Sequence, residues 1–119
     1  MPKGILSYRR GDICWVNLDS TKGVETKKTR PCLIVQNDQG NHFSLLTVVI
    51  PILPGNKEAP YVVNVKATPE NGLDRDRYID VGQIRAVAHE RIGDKLGVIE
   101  IFYWQSIRDA LDIVLGFDL

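Results

Sequence analysis

The sequence predicts a small α+β protein, mostly β, in which a strongly curved antiparallel barrel packs against one C-terminal helix. Two observations support this fold class. Between residues 12 and 88, short runs rich in β-branched and aromatic residues alternate with turn-forming segments. The last segment instead repeats its apolar residues with helical spacing. The chain of 119 residues is long enough for a single domain (1–119) with one core.

The first two strands are predicted on either side of a long polar segment. "DICWVNL" at 12–18 is rich in β-formers, and "RPCLIVQ" at 30–36 is almost continuously apolar. The segment between them, "DSTKGVETKKT" at 19–29, is long for a hairpin loop, which favours a functional role. After the second strand, "NDQGN" at 37–41 predicts a tight turn with Gly40 free to take a positive φ.

The remaining strands follow in order. "FSLLTVVIPIL" at 43–53 is the third and longest and ends at "LPGN", and "YVVNV" at 61–65 is the fourth. "TPENGLDRD" at 68–76 is predicted to be a loop. "RYIDVGQIRAVA" at 77–88 then supplies one or two further strands, so that the sheet has five to seven strands in all.

The C-terminal segment "YWQSIRDALDIVLGF" predicts a helix that stops at Gly116. Its apolar residues recur with helical spacing, and the predicted buried face comprises Trp104, Ile107, Leu111, Val114 and Leu115. The same helix and the rim of the barrel offer apolar surface for a second copy of the chain.

Composition restricts the class of protein. Hydrophobic residues make up 44% and charged residues 25%, as in soluble globular chains. No apolar run reaches the roughly 20 residues of a membrane span, and the start lacks a signal peptide, so we expect a cytoplasmic protein. Cys14 and Cys32 lie in apolar runs without metal-ligand spacing, which predicts buried free thiols and no metal site.

The charges are unevenly distributed although the net charge is zero. Up to and including Arg30 there are seven lysines and arginines against three acidic residues, so this part carries +4 and the rest carries −4. The first part is suited to attract phosphates, and the second to meet a basic partner. An uneven distribution without functional meaning is the alternative.

Common catalytic motifs are missing from the sequence. There is no P-loop pattern, no G-x-S-x-G and no H-E-x-x-H. The two histidines, His42 and His89, each lie near a predicted turn, so that an acid–base pair of histidines is disfavoured. The remaining candidate is the loop 25–30 together with arginines outside it, which indicates binding of phosphate by guanidinium groups. These arginines are Arg9, Arg10, Arg75, Arg77 and Arg85.

Arg30 stands where the basic loop meets the second strand. Pro31 disfavours helical backbone at the residue before it, so Arg30 is predicted to be extended. A guanidinium on rigid backbone beside a basic loop is suited to a phosphate. Alternatively, Arg30 is a structural strand-end residue paired with Glu25.

The segment "RRGDICWVNLDSTKGVETKKTRPCLIVQNDQGN" at 9–41 resembles the opening of the MazF/PemK family of toxin endoribonucleases. The family's R-G-D, G-x-E, T-R-P before an apolar strand, and N-D-x-G-N occur here in order. Downstream, "NGLDRDRYIDVGQIRAV" at 71–87 and "RIGDKLG" at 91–97 resemble its second characteristic region. The resemblance implies an mRNA interferase, the toxin of a type II toxin–antitoxin system.

The resemblance also implies an SH3-like (PemK/CcdB-type) barrel, a homodimer, and sequence-specific cleavage of single-stranded RNA without a metal or other cofactor. A cognate MazE-like antitoxin would neutralise the protein by covering the RNA groove with an acidic or apolar tail. No membrane is involved. Arg30 falls on the family's catalytic arginine, Glu25 on the glutamate of the same loop, and Gln83 on a glutamine of the RNA-binding face. The expected RNA-binding residues are Arg10, Lys22, Lys27, Lys28, Thr29, Arg77, Gln83 and Arg85.

Two positions depart from the family pattern. The catalytic threonine usually ends the third strand, and here that position is Leu53, which cannot donate a hydrogen bond or relay a proton. Arg77 replaces what is commonly a serine. Thr47 shares the strand face of Leu53 but lies about 20 Å away along an ideal strand. Thr29 and Ser44 are weaker substitutes.

Alternatives therefore stay open beside the endoribonuclease. One is a binding toxin on the same barrel, comparable to the gyrase poisons. Another is an attenuated member that binds RNA or antitoxin without cutting. Glu25 would then be a solvated loop charge and Gln83 a cap on a sheet edge. Trp15 and Trp104 are interpreted as core or interface residues rather than platforms for bases.

Overall fold

The computed structural model describes residues 7–18 and 29–117. Within these ranges lie seven strands: β1 (Asp12–Asn17), β2 (Thr29–Ile34), β3 (Leu46–Pro54), β4 (Val62–Val65), β5 (Arg77–Asp80), β6 (Arg85–Ala88) and β7 (Ile92–Val98). The helices are α1 (Asp38–Phe43) and α2 (Trp104–Leu115), with short 3₁₀ turns at Val81–Gln83, His89–Arg91 and Ile101–Tyr103. This confirms the predicted α+β fold with a C-terminal helix.

The strands form one antiparallel sheet in the order β4-β5-β3-β2-β1-β7, which is curved but not closed. β3 changes partners along its length: residues 46–49 pair with β6, and residues 52–54 pair with β5. Pro51 lies at this change of partner. Pro31 pairs with Trp15 within the β1–β2 ladder but lies one residue beyond the last pair of β2 with β3. Each proline thus lies where one side of its strand has no continuing ladder, so that a missing N–H can be tolerated there.

The two faces of the sheet bury separate clusters. One face packs Ile13, Leu33, Ile52 and Ile79 beneath α2. The other face buries a smaller cluster that includes Cys14, Val16, Cys32, Val49 and Val87. Successive side chains of a strand point to opposite faces. Residues an even number of positions from Cys32 on β2, Val49 on β3 or Val87 on β6 therefore lie on the side of the smaller cluster. We call this side the arginine face, for the two arginines described below.

The segment 37–41 is helical, so the predicted tight turn is wrong. Asn37 caps α1 by accepting the backbone N–H of Gly40 at 2.7 Å, and Gly40 does not take a positive φ. Asn41 is buried and receives hydrogen bonds from Gln36 and from the Thr47 hydroxyl. These side-chain bonds stabilise one short helix, and consequently β3 begins at Leu46 rather than at residue 43.

β7 is an edge strand that composition did not reveal. Its sequence "IGDKLGV" holds two glycines and two charged residues, which are poor strand formers. It pairs with β1 through an irregular register. A side chain at Gly97 would meet Asn71 backbone atoms at 2.4 Å, so the strand carries glycine where the 68–76 loop lies against it.

Helix α2 matches the predicted segment and ends at Gly116, which takes a φ of 75°. Ile107 is buried, and the predicted residues Trp104, Leu111 and Val114 pack against the core. Leu115 is an exception because 53% of it is exposed, whereas Ala110 is buried in its place. Within the described residues no helix is long and apolar enough to cross a bilayer.

The predicted loop at 68–76 is held by the buried carboxylate of Glu100. The Thr68 hydroxyl donates to Glu100 Oε2 at 2.5 Å, and Asn71 Nδ2 donates to Oε1 at 3.1 Å. Burial alone would raise the pKa of this carboxyl, but the hydrogen bonds from Thr68 and Asn71 outweigh it and lower the pKa below its ordinary value of 4.5. The ionised form therefore stabilises the fold.

We expect the Glu100→Gln variant to be less stable than wild type at pH 7, with the difference shrinking in acid. A depressed pKa contributes stability that is complete above the unfolded value of about 4.5 and is lost as the pH falls through the lower folded value. Urea unfolding at pH 7 and at pH 3 measures the difference. Glu58→Gln, which changes an exposed glutamate, is the control. A gap that stays constant with pH would contradict this role.

Candidate functional site

Arg30 lies at the second position of β2, opposite Val16, with its side chain on the arginine face. It is only partly exposed, yet it makes no ion pair or hydrogen bond with any residue in 7–18 or 29–117. The following proline is part of the same strand and fixes the extended backbone. The backbone of Arg30 is therefore fixed, and its guanidinium has no protein partner among the described residues to compete with an anion.

Arg85, on β6, brings a second guanidinium to the same face. It is exposed, and its Nη1 donates to the carbonyl of Leu18 at 3.3 Å. Burial raises the pKa of the Cys32 thiol to about 12, while the nearby charges of Arg85 and Arg30 act in the opposite direction. Both arginines are thus close enough to Cys32 to influence it. The structure brings together two of the predicted residues from distant parts of the chain.

Leu53 has the strand parity of the arginine face, as Arg30 does. Each lies two residues beyond Cys32 and Pro51, the last pair of the β2–β3 ladder. At this point β3 pairs with β5, and Leu53 is the direct partner of Tyr78. Tyr78 was not among the residues that the sequence singled out. Because Ile79 lies in the core, the alternation of "RYID" predicts that Tyr78 points to the other face of the sheet. It does not predict that Tyr78 pairs with Leu53.

Gln83 is exposed in the 3₁₀ turn that connects β5 with β6, two residues before Arg85. Its amide donates to Asp80 Oδ2 at 2.8 Å. Asp80 is buried at 6% exposure and shares the strand parity of Tyr78. The turn therefore presents an oriented amide at the border of the arginine face.

Two of the predicted RNA-binding arginines lie elsewhere. Arg10 donates to the carbonyl of Val35 and stacks on Trp104 at 4.4 Å. Val35 follows β2 and is five residues from Arg30, which is roughly 17 Å of extended chain. Arg77 is buried, with its guanidinium 3.0 Å from Asp74 and a bond to the Ile52 carbonyl. That ion pair lowers the pKa of Asp74. The guanidinium of Arg77 is thus engaged within the protein.

The other predicted residues belong to the start of β2 and the segment before it. Thr29 is exposed at the start of β2 and pairs with Asn17. The remaining four lie outside the described residues: Glu25, Lys22, Lys27 and Lys28.

The substitutes considered for the missing threonine are engaged in structural contacts. Thr47 is fully buried, and its hydroxyl donates to Asn41 at 2.5 Å. The Ser44 hydroxyl accepts the N–H of Leu46 at 3.0 Å. His89 donates from Nε2 to the Ser44 carbonyl and accepts the Tyr8 hydroxyl on Nδ1, whereas His42 packs edge-on against Phe43. The Thr47 hydroxyl is thus committed to Asn41, and Ser44 lies before β3, at the opposite end of that strand from Leu53.

Cys14 and Cys32 are free and buried, as predicted. They face each other across β1 and β2, and burial raises the pKa of Cys14 to about 11. Within the described part of the chain, no group of three or more His, Cys, Asp or Glu residues is arranged to hold a metal ion.

These features define a small curved-sheet protein with two arginines, Arg30 and Arg85, on one face. The chain matches the family described as PemK-like, MazF-like toxin of type II toxin-antitoxin system over residues 9–115. It therefore belongs to that family.

Relatives support the same assignment. The chain is 33% identical over 111 residues to a protein named endoribonuclease MazF from Staphylococcus epidermidis, covering 92% of each chain. It is 32% identical over 109 residues to endoribonuclease EndoA from Bacillus subtilis, covering 91% of this chain and 94% of the relative. A mycobacterial endoribonuclease solved with its cognate antitoxin shares the fold with a TM-score of 0.76 at 22% identity, over 92% of this chain and 96% of that one.

Proposed function

We propose that this protein is the toxin of a type II toxin–antitoxin system and cleaves single-stranded RNA without a metal. The observation that carries the proposal is Arg30, which is fixed on β2 beside Arg85 and unpaired within the described residues. Relatives at about one-third identity, named as endoribonucleases, support the same activity. Sequence-specific cutting of mRNA follows from the family resemblance.

In the proposed reaction the ribose 2′-hydroxyl attacks the adjacent phosphorus, giving a 2′,3′-cyclic phosphate and a 5′-hydroxyl end. Arg30 stabilises the negative charge that develops on the pentacoordinate phosphorus. Arg85, Thr29 and Gln83 bind the neighbouring backbone and bases. From the resemblance, Glu25 accepts the proton of the 2′-hydroxyl, and Lys22, Lys27 and Lys28 contribute charge to the same loop.

We infer two protein partners in the cytoplasm: a MazE-like antitoxin and a second copy of this chain. Solved structures of similar fold include a mycobacterial endoribonuclease with its cognate antitoxin and MazE–MazF of Deinococcus radiodurans. Large apolar side chains near the C-terminal helix support a protein interface. The exposed ones there are Val98, Ile101, Phe102, Ile113, Leu115 and Phe117.

The test is incubation of the purified protein with a long single-stranded RNA in EDTA. Defined fragments with 5′-hydroxyl and cyclic-phosphate ends are expected. An Arg30→Ala preparation, purified identically, controls for contaminating nucleases. Random degradation, cleavage that needs a divalent metal, or equal cutting by both preparations would contradict the proposal.

RNA binding is expected to weaken steeply with salt. If the face contacts about five phosphates, the logarithm of affinity should fall with the logarithm of salt concentration at a slope of about −3 to −4. Fluorescence anisotropy with a labelled single-stranded RNA measures the slope between about 50 and 200 mM salt. An affinity independent of salt would contradict an arginine-based RNA site.

Leu53 supports a second candidate function, a non-catalytic toxin that binds RNA, antitoxin or a gyrase-like target. An apolar side chain stands at the centre of the arginine face, where the family usually places threonine. This candidate predicts salt-dependent RNA binding or tight protein binding with no cleavage. The EDTA experiment therefore separates the two functions.

A further inference from the structure

A group that protonates the leaving oxygen is missing from the mechanism above. When the bond between phosphorus and the 5′-oxygen breaks, that oxygen must gain a proton. Arginine is a poor acid because it stays protonated, and Leu53 has no proton to give. The Thr47 hydroxyl donates to Asn41, and Ser44 lies before the start of β3, far along the chain from Leu53. Thr29 directly precedes Arg30 on β2, so its side chain points to the opposite face. A hydroxyl must come from another element of the arginine face.

Tyr78 is placed to supply it. It is the direct cross-strand partner of Leu53 in the β3–β5 ladder, so its side chain emerges on the same face as Leu53. Side chains paired in this way have Cβ atoms about 4.5–5.5 Å apart. β3 lies between β5 and β2 in the sheet order, and Arg30 lies two residues beyond the last pair of the β2–β3 ladder, with the strand parity of the same face. Arg30 and Tyr78 therefore project from one face of the sheet, on the two strands that neighbour β3.

The surroundings of Tyr78 leave its hydroxyl available. Its other neighbour, Asn64 of β4, is tied by two hydrogen bonds of 3.1 Å to the backbone of Lys57. Tyr78 is half-buried, and its hydroxyl makes no hydrogen bond with the described residues. By contrast, the hydroxyls of Tyr8 and Tyr103 both have protein partners. Tyr78 therefore presents an uncommitted proton donor.

We propose that Tyr78 is the general acid of the cleavage reaction and supplies the hydroxyl that Leu53 does not. The proposal rests on the endoribonuclease function proposed above. As the 2′-oxygen bonds to phosphorus, its proton passes to the general base of the reaction proposed above. The electrons of the breaking bond remain on the 5′-oxygen, which takes the phenol proton. The phenolate then regains a proton from water, so the enzyme returns unchanged.

Tyr78→Phe removes only the hydroxyl and keeps the ring, so any stacking of a base on the ring is retained. We expect single-turnover cleavage to slow roughly 100-fold or more, as for loss of a general acid, with RNA affinity changed less than about threefold. Tyr103→Phe is the matched control, because it also loses one hydroxyl but lies on the face beneath α2. Unfolding midpoints establish that both variants fold.

A substrate with sulfur in place of the 5′-oxygen at the mapped cut site separates acid catalysis from a structural role. A thiolate leaves without protonation, so wild type and Tyr78→Phe should cleave this RNA at similar rates. Adding Leu53→Thr to Tyr78→Phe should recover part of the lost rate on ordinary RNA. Equal rates on ordinary RNA, or a defect that persists with the sulfur substrate, would overturn the role of Tyr78. Absence of cleavage by wild type would overturn the proposed function and this role with it.

Discussion

Replacing Arg30 with alanine should slow RNA cleavage about 10²- to 10³-fold, equivalent to about 3–4 kcal/mol of lost transition-state stabilisation. Arg30 lies on β2, and its guanidinium has no partner among the described residues. Binding a phosphate therefore breaks no hydrogen bond or ion pair with these residues. Its charge acts mainly on the pentacoordinate phosphorus. Single-turnover cleavage of a defined RNA, with affinity measured separately, shows whether the loss is in the chemical step.

Arg108→Ala is the matched control, because this exposed arginine lies on α2 beneath the opposite face of the sheet. Arg30→Lys keeps the charge but loses the planar, two-pronged donor, so its rate should lie between wild type and alanine. Arg85→Ala should weaken RNA binding more than the chemical step. If Arg30→Ala lowers affinity and leaves the rate at saturating RNA unchanged, Arg30 binds RNA without taking part in catalysis.

The spacing of apolar residues was a sufficient signal for most of the strands, and its helical period was sufficient for α2. It failed where side-chain hydrogen bonds or packing decide the backbone. "NDQGN" has the composition of a turn, but Asn37 and Asn41 are engaged in bonds that stabilise a helical segment. β7 was missed because glycines and charged residues dominate "IGDKLGV", and Gly97 is required by contact with the 68–76 loop.

The candidate site could be predicted only in part, because strand parity and tertiary strand pairing decide which residues share a face. Arg30 was recognisable because Pro31 follows it and a basic segment precedes it. Arg77 carries the same charge in the sequence, but strand parity turns it to the other face, where Asp74 and the Ile52 carbonyl engage it. The position of Tyr78 next to Leu53 depends on the change of β3 from β6 to β5, a tertiary event that no local pattern encodes.

Gly72→Ala should cost about 3 kcal/mol or more in the free energy of unfolding, the largest stability effect we expect from any single glycine in the fold. Gly72 has a φ of 72°, and a left-handed backbone costs a residue with a Cβ about 1–2 kcal/mol. In addition, the new Cβ would lie 2.0 Å from the carbonyl oxygen of Leu96, so β7 or the loop must move, at about 1–3 kcal/mol. Urea unfolding measured by circular dichroism gives the change.

Gly55→Ala separates the two contributions. Gly55 also has a positive φ, 95°, but a Cβ there would meet no atom within 4 Å. It should therefore lose only the conformational part, about 1–2 kcal/mol. The difference between the two variants measures how tightly the 68–76 loop packs on β7, and with it how firmly β7 is held against β1. If both variants lose the same stability, the close approach of Gly72 to Leu96 is relieved without cost, and the loop does not brace the sheet edge.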